Sequence, residues 1–168
     1  LFGVTFMVMA PEHPMIDKYA DSIKNIKEIE DYRTECAKKT EFERTQLVKE
    51  KTGVKIDGLS AINPLNGKEI PIYIADYVMM GYGTGAIMAV PAHDTRDWEF
   101  AKKFGIDIIE VIKGGNIEEE AYTESGVMVN SDFLNGYDNK ADSIRRAIQE
   151  LEKLGCGEGG VQYKMKDW

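Results

Sequence analysis

The apolar positions of this chain change period several times, and each change marks an element. Leu1 to Ala10 (LFGVTFMVMA) is an apolar run rich in β-branched and aromatic residues, closed by Pro11, and predicts an inner strand. From Glu12 to Ile26 the spacing turns helical, with Ile16, Tyr19, Ala20 and Ile23 on one face. Glu28 to Lys51 remains helical but is heavily charged, which predicts two short helices broken near Thr40 with a solvated face. Gly53 and Gly58 punctuate a switch to β structure. Residues 62–74 then read as a hairpin about Asn66-Gly67, a pair suited to the positive φ angles of tight turns. Ile108 to Ile112 and Gly126 to Val129 are short strands, separated by a Gly114-Gly115 loop and a polar segment from Glu118 to Glu124. Asp138 to Leu154 predicts the clearest helix, with Ile144, Ala147, Ile148, Leu151 and Leu154 in one stripe and Gly155 as terminator. Strands dominate the middle and helices stand in blocks around them. The expected architecture is α+β: a small β-barrel or curved sheet surrounded by helices.

Composition narrows the picture. A chain of 168 residues, 43% apolar and 30% charged, fits one ordinary globular domain spanning 1–168. No apolar run is long enough for a bilayer span, so no membrane partner is expected. Two cysteines far apart, Cys36 and Cys156, do not make a disulfide framework, and a cytoplasmic setting follows. With two histidines and no CxxC, no metal site is expected. The net charge of −8 excludes a domain that grips nucleic acid by a broad basic face, but leaves room for a pocket that takes a single terminal nucleotide.

The candidate chemistry is concentrated in Val78 to Gly105 (VMMGYGTGAIMAVPAHDTRDWEFAKKFG). The glycine-alternating turn Gly81-Tyr82-Gly83-Thr84-Gly85 superficially resembles a dinucleotide fingerprint. Such a fingerprint must open a helix, whereas these glycines run into Ala86 to Val90 and then Pro91, a strand. An NAD-dependent oxidoreductase therefore has little support. Two compatible readings remain: a bend or bulge, and backbone brought close to a ligand. Beyond Pro91, Asp94 is a good helix N-cap and Asp97 stands where it would complete a capping box. On spacing alone capping comes first, although paired carboxylates in a cleft would also suit an ammonium ligand. His93 has the chemistry of a general base, yet no Ser or Cys nucleophile is marked by an elbow motif, so a triad has no support. Met79, Met80 and Met88 read as core or pocket lining, and His13 as a helix-entry surface residue.

These residues resemble the editing domain inserted in bacterial-type leucyl-tRNA synthetases. The resemblance lies in the GTG turn, in Met88-Ala89-Val90-Pro91-Ala92-His93-Asp94 followed by Arg96-Asp97, in the opening Leu1-Phe2-Gly3 with Ala10 to Pro14, in the hairpin Asn63-Pro64-Leu65 with Gly67 to Pro71, and in Asp167-Trp168. It covers nearly the whole chain. The Met-Ala-Val-Pro and Arg-Asp elements favour the leucyl branch over the related valyl and isoleucyl editing domains.

The resemblance implies hydrolysis of the ester of mischarged tRNA(Leu), carrying isoleucine, methionine or norvaline. It implies Asp97 on the substrate's α-ammonium with Asp94 nearby, and a pocket lined by Tyr82, Gly83, Thr84, Met88, Val90, His93 and Arg96. Water would attack the ester, helped by a ribose hydroxyl of the substrate. No metal or other cofactor is implied in this domain, ATP being used elsewhere in the parent synthetase. The implied partners are the 3′-terminal adenosine of aminoacyl-tRNA(Leu) and the rest of the synthetase, with 161–168 as an exit strand towards it. The family's threonine-rich motif (TTRPDT) is not in this sequence, so the expectation is an excised piece with weak deacylation and poor discrimination against leucine. The alternatives are an editing domain of a valyl- or isoleucyl-type synthetase and a non-catalytic module that binds the tRNA 3′ end.

Overall fold

A computed structural model describes residues 1–45 and 50–161. Its centre is a four-stranded sheet in the order β2-β3-β1-β4, formed by β1 (Phe6–Met9), β2 (Gly53–Ile62), β3 (Glu69–Ala75) and β4 (Ala86–Ala89). β1 lies parallel to β3, with Val8 opposite Tyr73, and antiparallel to β4, with Phe6 opposite Ala89. β2 and β3 form the expected antiparallel hairpin, its register shifting between Lys55 and Ser60, which bends the edge strand. Of the two expected forms, the curved sheet is the one the described strands make.

Strand alternation sends successive side chains to opposite faces. Phe6, Val8, Tyr73 and Ala75 pack on one face with Phe100 and Ala101 of α4 (Thr95–Phe104). Phe100 stacks on Phe6 at 5.4 Å and on Phe104 at 4.4 Å. On the other face Met9, Ile72, Ile74 and Ile56 meet Ile16 of α1 (Pro14–Lys18), Ile23, and Ile29 of α2 (Ile26–Ala37). A third cluster of Phe2, Val111 and Leu134 lies by a two-stranded ribbon, β5 (Ile112–Lys113) with β6 (Val127–Met128), and α5 (Lys140–Lys153).

Several expectations shift for physical reasons. The first strand contributes only Phe6–Met9 to the sheet, because Phe2 is drawn into the third cluster. The helix expected over 12–26 is a five-residue helix and a 3-10 turn at Ala20–Ser22. Asn25 serves β2 instead: its Nδ2 donates to the Lys55 carbonyl at 2.8 Å and its Oδ1 accepts from the Asp57 N–H at 2.9 Å. The break near Thr40 is present, with α3 (Glu41–Thr45) opened by a reciprocal Thr40–Glu43 capping box. Of the turn pair Asn66-Gly67 only Gly67 takes positive φ (69°), and Asn63 closes the loop, its backbone N–H donating to the Lys68 carbonyl at 2.8 Å. The stripe of α5 is only partly covered: Ala147 packs with the third cluster, while Ile144 and Leu154 stay exposed. The exit strand expected over 161–168 falls, after Val161, outside the described residues.

Candidate functional site

The site is built where β4 ends. Pro91 stops the strand, and the chain turns into α4 with Asp94 as its N-cap, in extended conformation (φ −135°, ψ 125°). The Asp94 Oδ1 accepts from the backbone N–H groups of Arg96 at 2.9 Å and Asp97 at 3.1 Å, satisfying two donors of the first turn. The reciprocal half of the capping box is not made. The Asp97 carboxylate instead takes the Tyr77 hydroxyl on Oδ1 at 3.0 Å and the Val90 N–H on Oδ2 at 3.1 Å. Local spacing therefore accounts for Asp94 and leaves Asp97 with another task.

Asp97 is 6% exposed, and among the described residues no lysine or arginine forms an ion pair with it. Burial pushes its carboxyl up to about 6, and the negative charge of Asp94 adds to the rise. The hydrogen bonds from Val90 and Tyr77 and the Arg96 guanidinium act the other way without prevailing. The Tyr77 phenol is raised in turn, chiefly by burial and next by the Asp97 charge, so it acts as a donor.

Asp97 lies in the wall of a cleft of about 750 Å³, within the size range of small-ligand sites. Asp94, Asp97, Arg96, Tyr82 and Met88 all line it, so five of the residues expected at the site come together. Gly83, Thr84, Val90 and His93 do not line it. The glycine turn lines the cleft through Gly81 and Tyr82, and its second half supports that wall. Gly85 has φ 74°, and a Cβ there would collide with the Met80 sulfur and crowd the His13 ring. The Thr84 carbonyl accepts from His13 Nε2 at 3.1 Å, and the Val90 N–H is taken by Asp97.

The two histidines both engage backbone groups, and the surface reading of His13 is corrected. His93 is half-buried away from the cleft: its Nε2 accepts from the Val111 N–H at 3.0 Å and the Ile112 N–H at 2.9 Å, and its Nδ1 donates to the Tyr122 carbonyl at 2.7 Å. With both ring nitrogens engaged by backbone, it ties the β5 segment to the sheet and has no lone pair for a substrate. His13 is buried, not a surface residue; its Nδ1 caps α1 by accepting from the Met15 N–H at 3.2 Å.

Three further cleft residues went unnoticed in the sequence: Tyr77, Glu41 and Thr45. Glu41 and Thr45 stand one turn apart on α3, which Arg44 fastens to the body by donating to the Asp76 and Val78 carbonyls, each at 2.9 Å, and by pairing with Glu12. The signal for Tyr77 was its place near the end of a buried apolar strand, where a phenol hydroxyl must find a partner.

Glu41, Asp94 and Asp97 against Arg96 give the cleft a negative balance, so fold and site together define a small α+β domain with an acidic cleft at the end of its sheet. More particularly, the chain belongs to the leucyl-tRNA synthetase editing-domain family, which matches residues 1–152. The leucine–tRNA ligase of Alkaliphilus oremlandii (strain OhILAs) is 59% identical over 170 residues, covering 100% of this chain and 21% of that protein. The chain thus spans about a fifth of the length of that relative. It also resembles the solved ternary complex of Agrobacterium radiobacter K84 agnB2 LeuRS with tRNA and LeuAMS, with a TM-score of 0.71, 28% identity, and coverage of 99% of this chain and 17% of that one. Among the described residues no helix is long and apolar enough to cross a membrane.

Proposed function

We propose that this domain hydrolyses the ester bond of mischarged tRNA(Leu), removing isoleucine-, methionine- or norvaline-type residues after transfer. The need for such a site is physical: a synthetic pocket distinguishes amino acids differing by one methylene by only ~1–3 kcal/mol, so a second, hydrolytic site must supply the rest. The observation that carries the reading is Asp97, a buried carboxylate at the wall of a cleft, held by two neutral donors and by no ion pair among the described residues. An aminoacyl ester brings an α-ammonium, the charge that this carboxylate lacks.

In this reading Asp97 anchors the ammonium and Asp94 adds to the negative field while holding the first turn of α4. Met88 and Tyr82 border the space for the amino acid and terminal adenosine, and Arg96 is the basic group at hand for a phosphate. Water attacks the ester carbonyl, assisted by the free ribose hydroxyl of the terminal adenosine, and the tRNA 3′ oxygen leaves. The partners are the aminoacylated tRNA end and the remainder of a synthetase chain, as the ligase relative and the tRNA-bound structural neighbour support. The setting is the cytosol, in keeping with two unpaired cysteines.

The test is deacylation of isoleucyl-tRNA(Leu) by a leucine–tRNA ligase carrying this domain, comparing wild type with Asp97→Ala. Loss of the anchor is expected to lower the rate by about 100-fold or more, the scale on which misplacement of a reacting group acts. Equal rates would overturn the hydrolytic reading, and binding without hydrolysis in both would leave a module that only holds the tRNA end.

A further inference from the structure

Two features of the Asp97 carboxylate need explaining together: it is fixed in orientation, and it is fixed without being neutralised. The second torsion of an aspartate is soft, so one hydrogen bond would leave the group free to rock. Here each oxygen has its own donor from a different part of the fold, the Tyr77 hydroxyl following β3 and the Val90 N–H at the end of β4. Both donors are neutral. An arginine or lysine in place of Tyr77 would hold the group as firmly, but would cancel the charge that an ammonium ligand needs.

Tyr77 is itself unusually well held. It is 8% exposed, its ring meets Phe100 at 5.7 Å with an interplanar angle of 55°, and the Lys51 ammonium lies 6.0 Å from its centroid. Lys51 is also buried and is pinned by Glu99 at 3.1 Å. The ring is therefore held by contacts with an aromatic and a tethered cation, and its hydroxyl donates to Asp97.

We propose that Tyr77 is a positioning residue for the editing reaction, orienting the Asp97 carboxylate so that its remaining lone pairs face an α-ammonium in the cleft. This rests on the reading of Asp97 as the amine anchor. An ionised carboxylate offers roughly four acceptor positions, and the two neutral donors occupy one on each oxygen, leaving the others for the ligand. The charged groups facing Asp97 are Asp94 and Arg96 from the first turn of α4; Tyr77 and Val90 contribute neutral dipoles from the other two walls. Because burial raises the Tyr77 phenol, it remains a donor across the physiological range.

Tyr77→Phe keeps the ring and deletes only the hydroxyl. Two measurements separate positioning from packing. The first is a carbon-13 NMR titration of the Asp97 carboxyl, which needs no activity. With a donor to the charged form removed, its midpoint is expected to rise from about 6 by roughly half a pH unit or more. The second is binding of 3′-norvalylamino-3′-deoxyadenosine, a non-hydrolysable amide probe, against the same molecule lacking the α-amine. Wild type is expected to favour the amine-bearing probe, and the variant to lose about fivefold or more of that preference while binding the des-amino probe equally well. A wild type with no preference overturns the amine-anchor reading itself. A preference that survives Tyr77→Phe unchanged, with an unmoved midpoint, overturns this inference alone. Lys51→Met, which frees one face of the ring, is expected to shift both readouts in the same direction by less, and it decides the matter should Tyr77→Phe not fold.

Discussion

A carboxyl whose folded value is about 6, against an ordinary 3.8, binds its proton more tightly in the folded chain than in the unfolded one. Between these two values the folded state carries the extra proton, so stability falls as pH rises through that window. Above about 6 the loss is complete, and a shift of this size corresponds to at most ~3 kcal/mol. Asp97→Asn removes the charge and keeps the shape, with one neutral donor facing an amide N–H₂ in place of an oxygen. The variant is expected to be more stable than wild type by about 1–2 kcal/mol at pH 7.5, with the gain vanishing below pH 4. Urea denaturation at both pH values checks this; an Asn variant that is less stable at pH 7.5 would show that the two hydrogen bonds outweigh the buried charge. The same substitution should abolish amine binding, the pattern expected when a functional group is retained against the interest of the fold.

At the scale of elements, what the sequence made legible was whatever repeats locally. The inner strand of β1, the hairpin turning at Asn66-Gly67, the Asp94 cap of α4 and the Thr40 break all follow from signals within a few residues. What stayed hidden depends on pairs distant along the chain. Tyr77 meets Asp97 across 20 residues, and His13 meets Thr84 across 71. Nor could the capping pattern reveal that Asp97 rotates away from its helix, since that choice is set by a strand end and a tyrosine contributed from elsewhere. The small helix α3 is a case in point. It reads as solvated charge, yet Arg44 is buried and supplies donors to the Asp76 and Val78 carbonyls, bringing Glu41 and Thr45 to the cleft. Arg44→Met would leave both carbonyls without those donors and Glu12 without its partner, at a cost of about 2–4 kcal/mol. Hydrogen exchange should then show the amides of α3 losing protection before those of β1 and β3. Uniform loss across the sheet would contradict the view of α3 as a separately fastened wall.

At the scale of the whole molecule, charge and function pull in opposite directions. The chain carries 29 acidic against 21 basic residues, and three of those carboxylates face one arginine in its cleft, yet the proposed ligand is the end of a polyanion. These facts are compatible if the domain recognises the aminoacyl end and leaves the phosphate backbone to other surfaces. Contacts to single-stranded phosphates make binding fall with salt, by a slope of about −0.7 in log K against log salt for each phosphate neutralised. With Arg96 as the basic side chain lining the cleft, binding of a CCA trinucleotide whose terminal adenosine carries an amide-linked norvaline is expected to show a slope no steeper than about −1. Asp97 is buried, so the proposed pair with an ammonium would be weakly screened and would contribute little to that slope. Removing the amino acid from the trinucleotide should cost at least about tenfold in affinity while leaving the slope unchanged, because the ammonium it carries pairs with a carboxylate and neutralises no phosphate. A slope near −3 would mean several phosphates are neutralised, and a basic tract would then have to be sought on the domain's outer surface. A shallow slope with a strong dependence on the amine would instead show an acidic domain using its charge to read the one cation that an aminoacylated RNA end carries.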